Sequence, residues 1–235
     1  YGIDRQANVS ARDIRITLKG TSFTLDTYKG SVELHTRLIG KFNVYNMLAA
    51  AAAALLEGIA LDEIARSLEG IAPVDGRMES VVLDQDFLVL VDYAHTPDGL
   101  ENALRSVSEF AEGRIITVFG CGGDRDRTKR PIMGRIAAEY SDYVIVTSDN
   151  PRSENPEAIL REIAEGIAES GCPGDRYELE VDRVEAIRKA IASARHGDVV
   201  LIAGKGHETY QLIGDRTIDF DDRVVAADAI RSLNR

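Results

Sequence analysis

Four short stretches gather the side chains that could do chemistry. DYAHTPD (residues 92–98) offers Asp92 and His95. GCGGDRDR (120–127) sets Arg125 and Arg127 in a glycine-rich backbone, a pairing suited to a carboxylate or a phosphate. DNPR (149–152) brings an acceptor, an amide and a forked donor together, with Pro151 stiffening them. A zwitterion needs such opposite partners for its ammonium and its carboxylate. GKGHE (204–208) could present a nest of backbone N–H groups. Each stretch taken singly also fits a solvated turn, and His95 fits a local packing or capping role as well as a chemical one. There is no GxxxxGK[ST] phosphate loop, and His35, His95, His196 and His207 are dispersed, so no metal cluster stands out.

Each stretch follows a strand-like run. Residues 87–91, 115–119, 143–147 and 199–203 are continuously apolar, as in strands buried on both faces. Helical patterns separate them at 97–110, 131–140, 156–169 and 184–194. Two open with a capping residue and a proline, Thr96-Pro97 and Asn155-Pro156. This alternation predicts an α/β domain with a mostly parallel sheet flanked by helices and right-handed crossovers. In such sheets ligands bind beyond the carboxyl ends of the strands, where the four stretches lie. Residues 210–213 and 217–220 read as a hairpin around Gly214-Asp215, and 222–233 as a last helix.

The front of the chain follows another pattern. Residues 15–38 alternate apolar and polar side chains, including Ile16, Leu18, Phe23 and Leu25, after Ile14. Breaks at Gly20 and Gly30 predict a small antiparallel meander. Residues 43–56 read as an alanine-packed helix and 61–68 as a second. Pro73 and Gly76 break the pattern, dividing the chain into domains 1–72 and 73–235.

Composition narrows the class. The 235 residues are 44% hydrophobic and 29% charged, which supports a real core in one large or two modest domains. The net charge of -11 disfavours nucleic acid and anionic membrane surfaces as partners. Cys121 and Cys172 make no disulfide framework, and a reducing cytoplasm is the simplest setting. Cys121, between glycines at a strand end, is expected to be buried and inert. No apolar run approaches the ~20 residues of a membrane span, and no signal peptide is visible. The chain opens on Tyr1 rather than Met, which suggests a trimmed start.

Five motifs in order carry a family resemblance: GRMES (76–80), DYAHTPDGLENAL (92–104), GCGGDRDRTKRP (120–131), DNPRSENP (149–156) and GKGHETYQ (204–211). Together they closely resemble the Mur ligases, and within them the enzymes that add meso-diaminopimelate. GKFNVYNMLAAAAAA (40–54) is similar to the end of that family's central ATPase domain.

The resemblance implies an ATP-dependent amide-bond-forming ligase of peptidoglycan synthesis, acting in the cytoplasm. In this family an N-terminal domain holds the UDP-sugar and a central domain holds ATP and Mg2+. A Rossmann-like C-terminal domain holds the amino acid. ATP phosphorylates the D-glutamate carboxylate of UDP-N-acetylmuramoyl-L-alanyl-D-glutamate, and the diaminopimelate amine displaces phosphate. Carried over by motif, Arg125, Asp149, Asn150, Pro151, Arg152, Gly204 and Glu208 form the meso-diaminopimelate site. Arg77 and Asp92, with Asn43 and Asn46 from residues 1–72, contact the nucleotide. No catalytic residue or metal ligand is carried over. The phosphate loop and magnesium ligands would lie ahead of Tyr1. Residues 1–72 would then be a remnant of the central domain, partly disordered, and the fragment alone should not turn over. Competing readings are a lysine-adding ligase, a cyanophycin-synthetase-like ligase and a non-catalytic module of the same fold. Arg152 favours diaminopimelate, since lysine lacks the second carboxylate.

Overall fold

The computed structural model describes residues 1–17 and 20–233; Leu18, read above as part of the meander, lies outside them. The chain divides into two compact units, Tyr1–Val74 and Asp75–Arg235.

In the first unit, strands β1 (Val9–Thr17), β2 (Gly20–Thr27) and β3 (Gly30–Thr36) form an antiparallel sheet in that order. The meander begins at Val9, earlier than residue 15. A bulge between Arg12 and Arg15 interrupts the register and, with three charges at Arg12, Asp13 and Arg15, hides the alternation. Phe23, Leu25 and Leu34 are buried. Helix α1 (Lys41–Leu56) meets them with Val44, Met47, Leu48, Ala51 and Leu55, spaced to share one face, and α2 (Leu61–Glu69) adds Ile64, Ala65 and Leu68. Residues 1–72 are therefore not partly disordered as expected: three strands and two helices close on one apolar cluster.

The second unit is built on a six-stranded sheet in the order β4-β5-β9-β6-β7-β8. Its strands are β4 (Glu79–Ser80), β5 (Leu88–Asp92), β6 (Ile115–Phe119), β7 (Tyr143–Thr147), β8 (Tyr177–Glu180) and β9 (Val199–Ala203). β4 pairs antiparallel with β5, and every other pairing is parallel. Every residue of β5, β6 and β9 is buried, which is why their sequences are apolar apart from Thr117 and the terminal Asp92. The edge strands β4 and β8 were not anticipated. One is two residues long, and YELE at the other edge is only half buried and half acidic.

The helices are α3 (Pro97–Ser108), α4 (Lys129–Tyr140), α5 (Pro156–Glu169), α6 (Arg183–Ser193) and α7 (Asp222–Leu233). α6 and α7 pack against Val89, Val91, Ile116, Val118, Val200 and Ile202 in the main core. The strand-to-helix turns are fixed by caps. The Thr96 side chain accepts from Gly99 N–H, Asn155 from Ala158, and Asp182 from Val184 and Glu185. Each such cap stabilises its helix by ~1 kcal/mol. α4 starts at Lys129, ahead of the expected 131, because Pro131 is tolerated within a first turn. Between β9 and α7 runs the expected hairpin, β10 (Tyr210–Ile213) with β11 (Arg216–Asp219). Among the described residues no helix is long and apolar enough to cross a membrane.

Candidate functional site

Parallel strands end on one side of the sheet, so the segments after β5, β6, β7 and β9 converge. They enclose a cleft of about 650 Å³. Tyr93 and His95 follow β5, and Gly122, Arg125 and Asp126 follow β6. Asp149, Asn150 and Arg152 follow β7, and Gly204 and Glu208 follow β9; Lys129 of α4 and Tyr210 of β10 complete the charged and polar wall. Three cations (Arg125, Lys129, Arg152) and three carboxylates (Asp126, Asp149, Glu208) thus line one cleft, which has room for an amino acid with several charged groups.

The carboxylate side of the wall is rigidly supported. Asn150 is 2% exposed. Its Oδ1 accepts from Lys205 Nζ (3.1 Å) and Leu212 N–H (2.9 Å), and its Nδ2 donates to Glu208 Oε2 (3.0 Å). The Asn150 side chain is therefore committed to scaffolding, and only the position of the residue brings it to the cleft. Gln211 Nε2 donates to the Asp149 carbonyl at 2.8 Å, and Asn150 N–H to Asp149 Oδ1 at 2.6 Å. Gly204 sits at φ +117, where a Cβ would come within 2.8 Å of Asp149 Oδ2, so only glycine leaves that carboxylate its place. At the two ends of residues 204–208 the backbone is paired: Gly204 N–H donates to the Asp92 carbonyl and Glu208 N–H to that of Lys205, both at 3.0 Å.

The cationic side divides its donors. Arg152 Nη1 donates to the Gly123 carbonyl at 2.8 Å, while Nη2 and Nε find no partner among the described residues. One nitrogen braces the loop and the other edge of the fork remains for a ligand. Arg125 is exposed, with Nη1 on the carbonyl of Asp124 at 2.9 Å. Pro151 is buried behind them, its carbonyl pressed so close to Gly123 that a Cβ there would lie 1.9 Å away.

Of the residues assigned to the nucleotide, the two in this unit, Arg77 and Asp92, do not line the cleft. Asp92 is buried beneath it. Burial pushes its carboxyl up, opposed by hydrogen bonds from the N–H groups of Met78 and Ala94 and by the charge of Arg77. The Arg77 guanidinium lies 5.3 Å from the centre of the Tyr93 ring, which also packs against His95 and His207. His95 has a local role, with Nδ1 2.8 Å from the Tyr93 carbonyl. Asn43 and Asn46 belong to α1 of the first unit. Asn43 Nδ2 donates to the Ile39 carbonyl at 2.9 Å, and Asn46 Nδ2 reaches Asn43 Oδ1 at 3.4 Å. Lys205, Arg130 and Glu154, which support the wall, were missed at the sequence level; charged residues inside a motif read as surface until their burial is known.

The description "Mur ligase, glutamate ligase domain" matches residues 76–206, and "Mur ligase middle domain" matches residues 1–54. The chain is 55% identical over 231 residues to the UDP-N-acetylmuramoyl-L-alanyl-D-glutamate--2,6-diaminopimelate ligase of Halalkalibacterium halodurans, covering 98% of this chain and 46% of that one. It is 53% identical to the enzyme of the same name from Geobacillus thermodenitrificans, covering 98% and 47%. A solved structure of a ligase of that name superposes with a TM-score of 0.77 at 40% identity, over 99% of this chain and 47% of that chain. A pseudomurein peptide ligase type C from Methanothermus fervidus shares the fold, with a TM-score of 0.61 at 24% identity over 97% of this chain and 42% of that one. The chain spans about half the length of the curated relatives it matches. With the glutamate ligase match covering all of the strand-end cleft but Glu208 and Tyr210, and the middle-domain match ahead of it, the chain belongs to the Mur ligase family.

Proposed function

We propose that this chain supplies the amino-acid-binding half of a cytoplasmic ligase that adds meso-diaminopimelate to UDP-N-acetylmuramoyl-L-alanyl-D-glutamate in peptidoglycan synthesis. The observation that carries the reading is the cleft in which Arg125 and Arg152, from separate loops, oppose Asp149 and Glu208. meso-Diaminopimelate has two carboxylates and two amino groups, and among the three cations and three carboxylates of the wall these four residues supply donors and acceptors of matching charge. The Nε–Nη2 edge of Arg152 takes one carboxylate through two parallel hydrogen bonds. Arg125 takes the other, and Asp149 and Glu208 hold the ammonium groups. Orienting the amino acid is this chain's task, because an attacking amine must meet an acyl carbon at a defined distance and angle.

ATP is the second substrate. It supplies the phosphate that turns a carboxylate oxygen into a leaving group, and the exposed Arg77, over the Tyr93 ring, is the cation of this unit assigned to it.

The test is the ratio of kcat/KM for meso-diaminopimelate over L-lysine in the full-length ligase carrying this chain. Each charge-assisted hydrogen bond contributes roughly 1.5–3 kcal/mol net. With the loss of one such bond as the lower bound, Arg152→Ala is therefore expected to lower the ratio by about tenfold to about 150-fold or more, at 1.4 kcal/mol per factor of ten. A ratio left unchanged by Arg152→Ala would remove the assignment of the substrate.

A further inference from the structure

Arg125 and Arg152 stand on loops that follow β6 and β7, neighbouring strands paired as far as Phe119 and Val146, and past those residues the sheet no longer fixes their spacing. There the two loops are tied by a part-buried ion-pair cluster behind the cleft. Arg130, in the first turn of α4, has a fully buried side chain. Its Nη1 donates to Glu154 Oε2 (3.0 Å) and Glu162 Oε2 (2.8 Å), and its Nη2 to Glu154 Oε1 (2.8 Å). Glu154 Oε1 also accepts from the N–H of Asp124 at 2.6 Å, one residue before Arg125. Asp124 in turn accepts from Ser153 Oγ (2.7 Å) and Ser153 N–H (3.2 Å), one residue after Arg152. A hydrogen bond from Gly123 N–H to the Asn150 carbonyl (2.9 Å) closes the lattice.

The backbone is held off its preferred conformations at the two places that matter. Asp124 (φ 54) and Arg152 (φ 52) are both left-handed without being glycine. Such residues persist where the surroundings over-determine them. Stability alone does not explain the arrangement. Arg130 Nε is buried with no partner, and an apolar cluster of similar volume would avoid that cost.

We propose that the Arg130–Glu154 ion pair sets the spacing and aim of the Arg125 and Arg152 guanidinium groups, making it a positioning pair that determines selectivity for an amino acid with two carboxylates. The inference rests on the reading of the cleft given above. Glu154 is the joint. One carboxylate receives the buried Arg130 and the backbone of the Arg125 loop, and it is carried on the Arg152 loop. Neither Arg130 nor Glu154 lines the cleft, so the pair acts through the loops and not on the ligand.

The test is an NMR titration of the 235-residue chain with meso-diaminopimelate and with L-lysine, comparing the ratio of the two Kd values. Four variants are needed: Glu154→Gln, Arg130→Lys, Arg152→Ala and Asp198→Asn. Asp198 is buried just before β9, at the end of the strand away from the cleft, where it holds Arg114 and the N–H of Arg195 and touches neither loop, so it controls for loss of stability. Displacing a binding group by about 1 Å can cost on the order of 100-fold. Glu154→Gln and Arg130→Lys are each expected to lower the preference for meso-diaminopimelate by ~10-fold or more. Glu154→Gln is expected to add little in an Arg152→Ala background, and Asp198→Asn to leave the ratio alone while lowering the Tm. A ratio that falls with Arg152→Ala but not with Glu154→Gln or Arg130→Lys overturns the positioning role and leaves the cleft assignment standing. So does an equal fall with Asp198→Asn. A ratio that none of the variants moves, or wild type that binds neither amino acid, overturns the cleft assignment and this inference with it.

Discussion

Lys205 buries its ammonium 3.0 Å from Oε2 of Glu208, and the same carboxylate oxygen receives Asn150 Nδ2. With Oε2 held from both sides, Glu208 is left with Oε1 for the cleft. The lysine side chain is fully buried and its Nζ lies 5.6 Å from the centre of the Tyr210 ring.

Removing one member of a buried pair costs more than removing both, because the survivor keeps its charge without a partner. Lys205→Met is therefore expected to destabilise the protein by about 3–5 kcal/mol. The double variant Lys205→Met/Glu208→Gln should lose less than the sum of the two single changes. Urea unfolding of the four proteins measures the coupling, and strict additivity would mean that the pair is not an energetic unit.

Burial pushes the Cys121 thiol up to about 12, with the nearby Asp149 charge adding to the shift and Lys129 opposing it. A thiol reacts as its thiolate, so at pH 8 Cys121 should resist alkylation. Cys172 is partly exposed and should react. Mass spectrometry of the folded chain after brief iodoacetamide treatment is expected to find a single label, on Cys172, with Cys121 modified only after denaturation. Labelling of Cys121 at the rate of Cys172 would contradict its burial.

The parallel strands were legible because burial on both faces writes itself as an unbroken apolar run. Residues 115–119, 143–147 and 199–203 match β6, β7 and β9 residue for residue. Helix starts were legible where a side chain does the capping, at Thr96 and Asn155. β8 was not, since YELE lies at a sheet edge and its hydrogen bonds are backbone-made. The site was legible in its location and less so in its division of labour. Asn150 and Arg152 sit two residues apart in one motif, yet one has its amide spent inside the protein and the other keeps the Nε–Nη2 edge of its guanidinium open. Lys205 looks like any surface lysine in sequence, and only the packing of β10 over it makes it internal. That assignment depends on contacts between residues far apart in the chain, which local pattern does not encode.

The Glu154 carboxyl is held at about 2, chiefly by its hydrogen bonds from Arg130 and further by Asp124 N–H and the charges of Arg130 and Arg127, against an ordinary value of 4.5. Its folded-state pKa is depressed, so the unfolded chain binds the proton first as the pH drops. The stabilisation is present in full above about 4.5 and is lost as the pH falls towards about 2. Glu154→Gln removes the group that titrates. The stability gap between wild type and Glu154→Gln is expected to be constant near neutrality and to shrink steadily through that acid window. A gap of constant size across it would mean that Arg130 and Glu154 do not interact as a charge pair.

The unit Asp75–Arg235 should fold by itself. Its main apolar cluster is drawn entirely from residues within it, from Phe87 through Ile230. Its chain ends do not interrupt the sheet, since β4 opens it and α7 covers it after the last strand. A calorimetric unfolding enthalpy of about 110 kcal/mol is expected near 60 °C, at roughly 0.7 kcal/mol per residue. It should equal the van't Hoff value, as for a single cooperative domain. α7 is the part that cannot be spared. Asp222 at its first turn receives Arg183 Nε and Nη2, each at 2.8 Å, and both side chains are fully buried. Arg183 in turn donates to the carbonyl of Ala203 at 3.0 Å, at the end of β9 beneath the cleft. Deleting residues 222–235 would strip a buried guanidinium of its carboxylate and uncover Val89 and Val91 of β5 to water. Breaking a buried pair costs about 3–5 kcal/mol, and each apolar side chain uncovered adds roughly 1.5–3 kcal/mol. Together these reach the 5–15 kcal/mol that typically separates a folded domain from its unfolded chain. A 75–235 fragment that melts without a cooperative transition, or a 75–221 fragment that keeps one, would show that the core does not reside where the packing puts it.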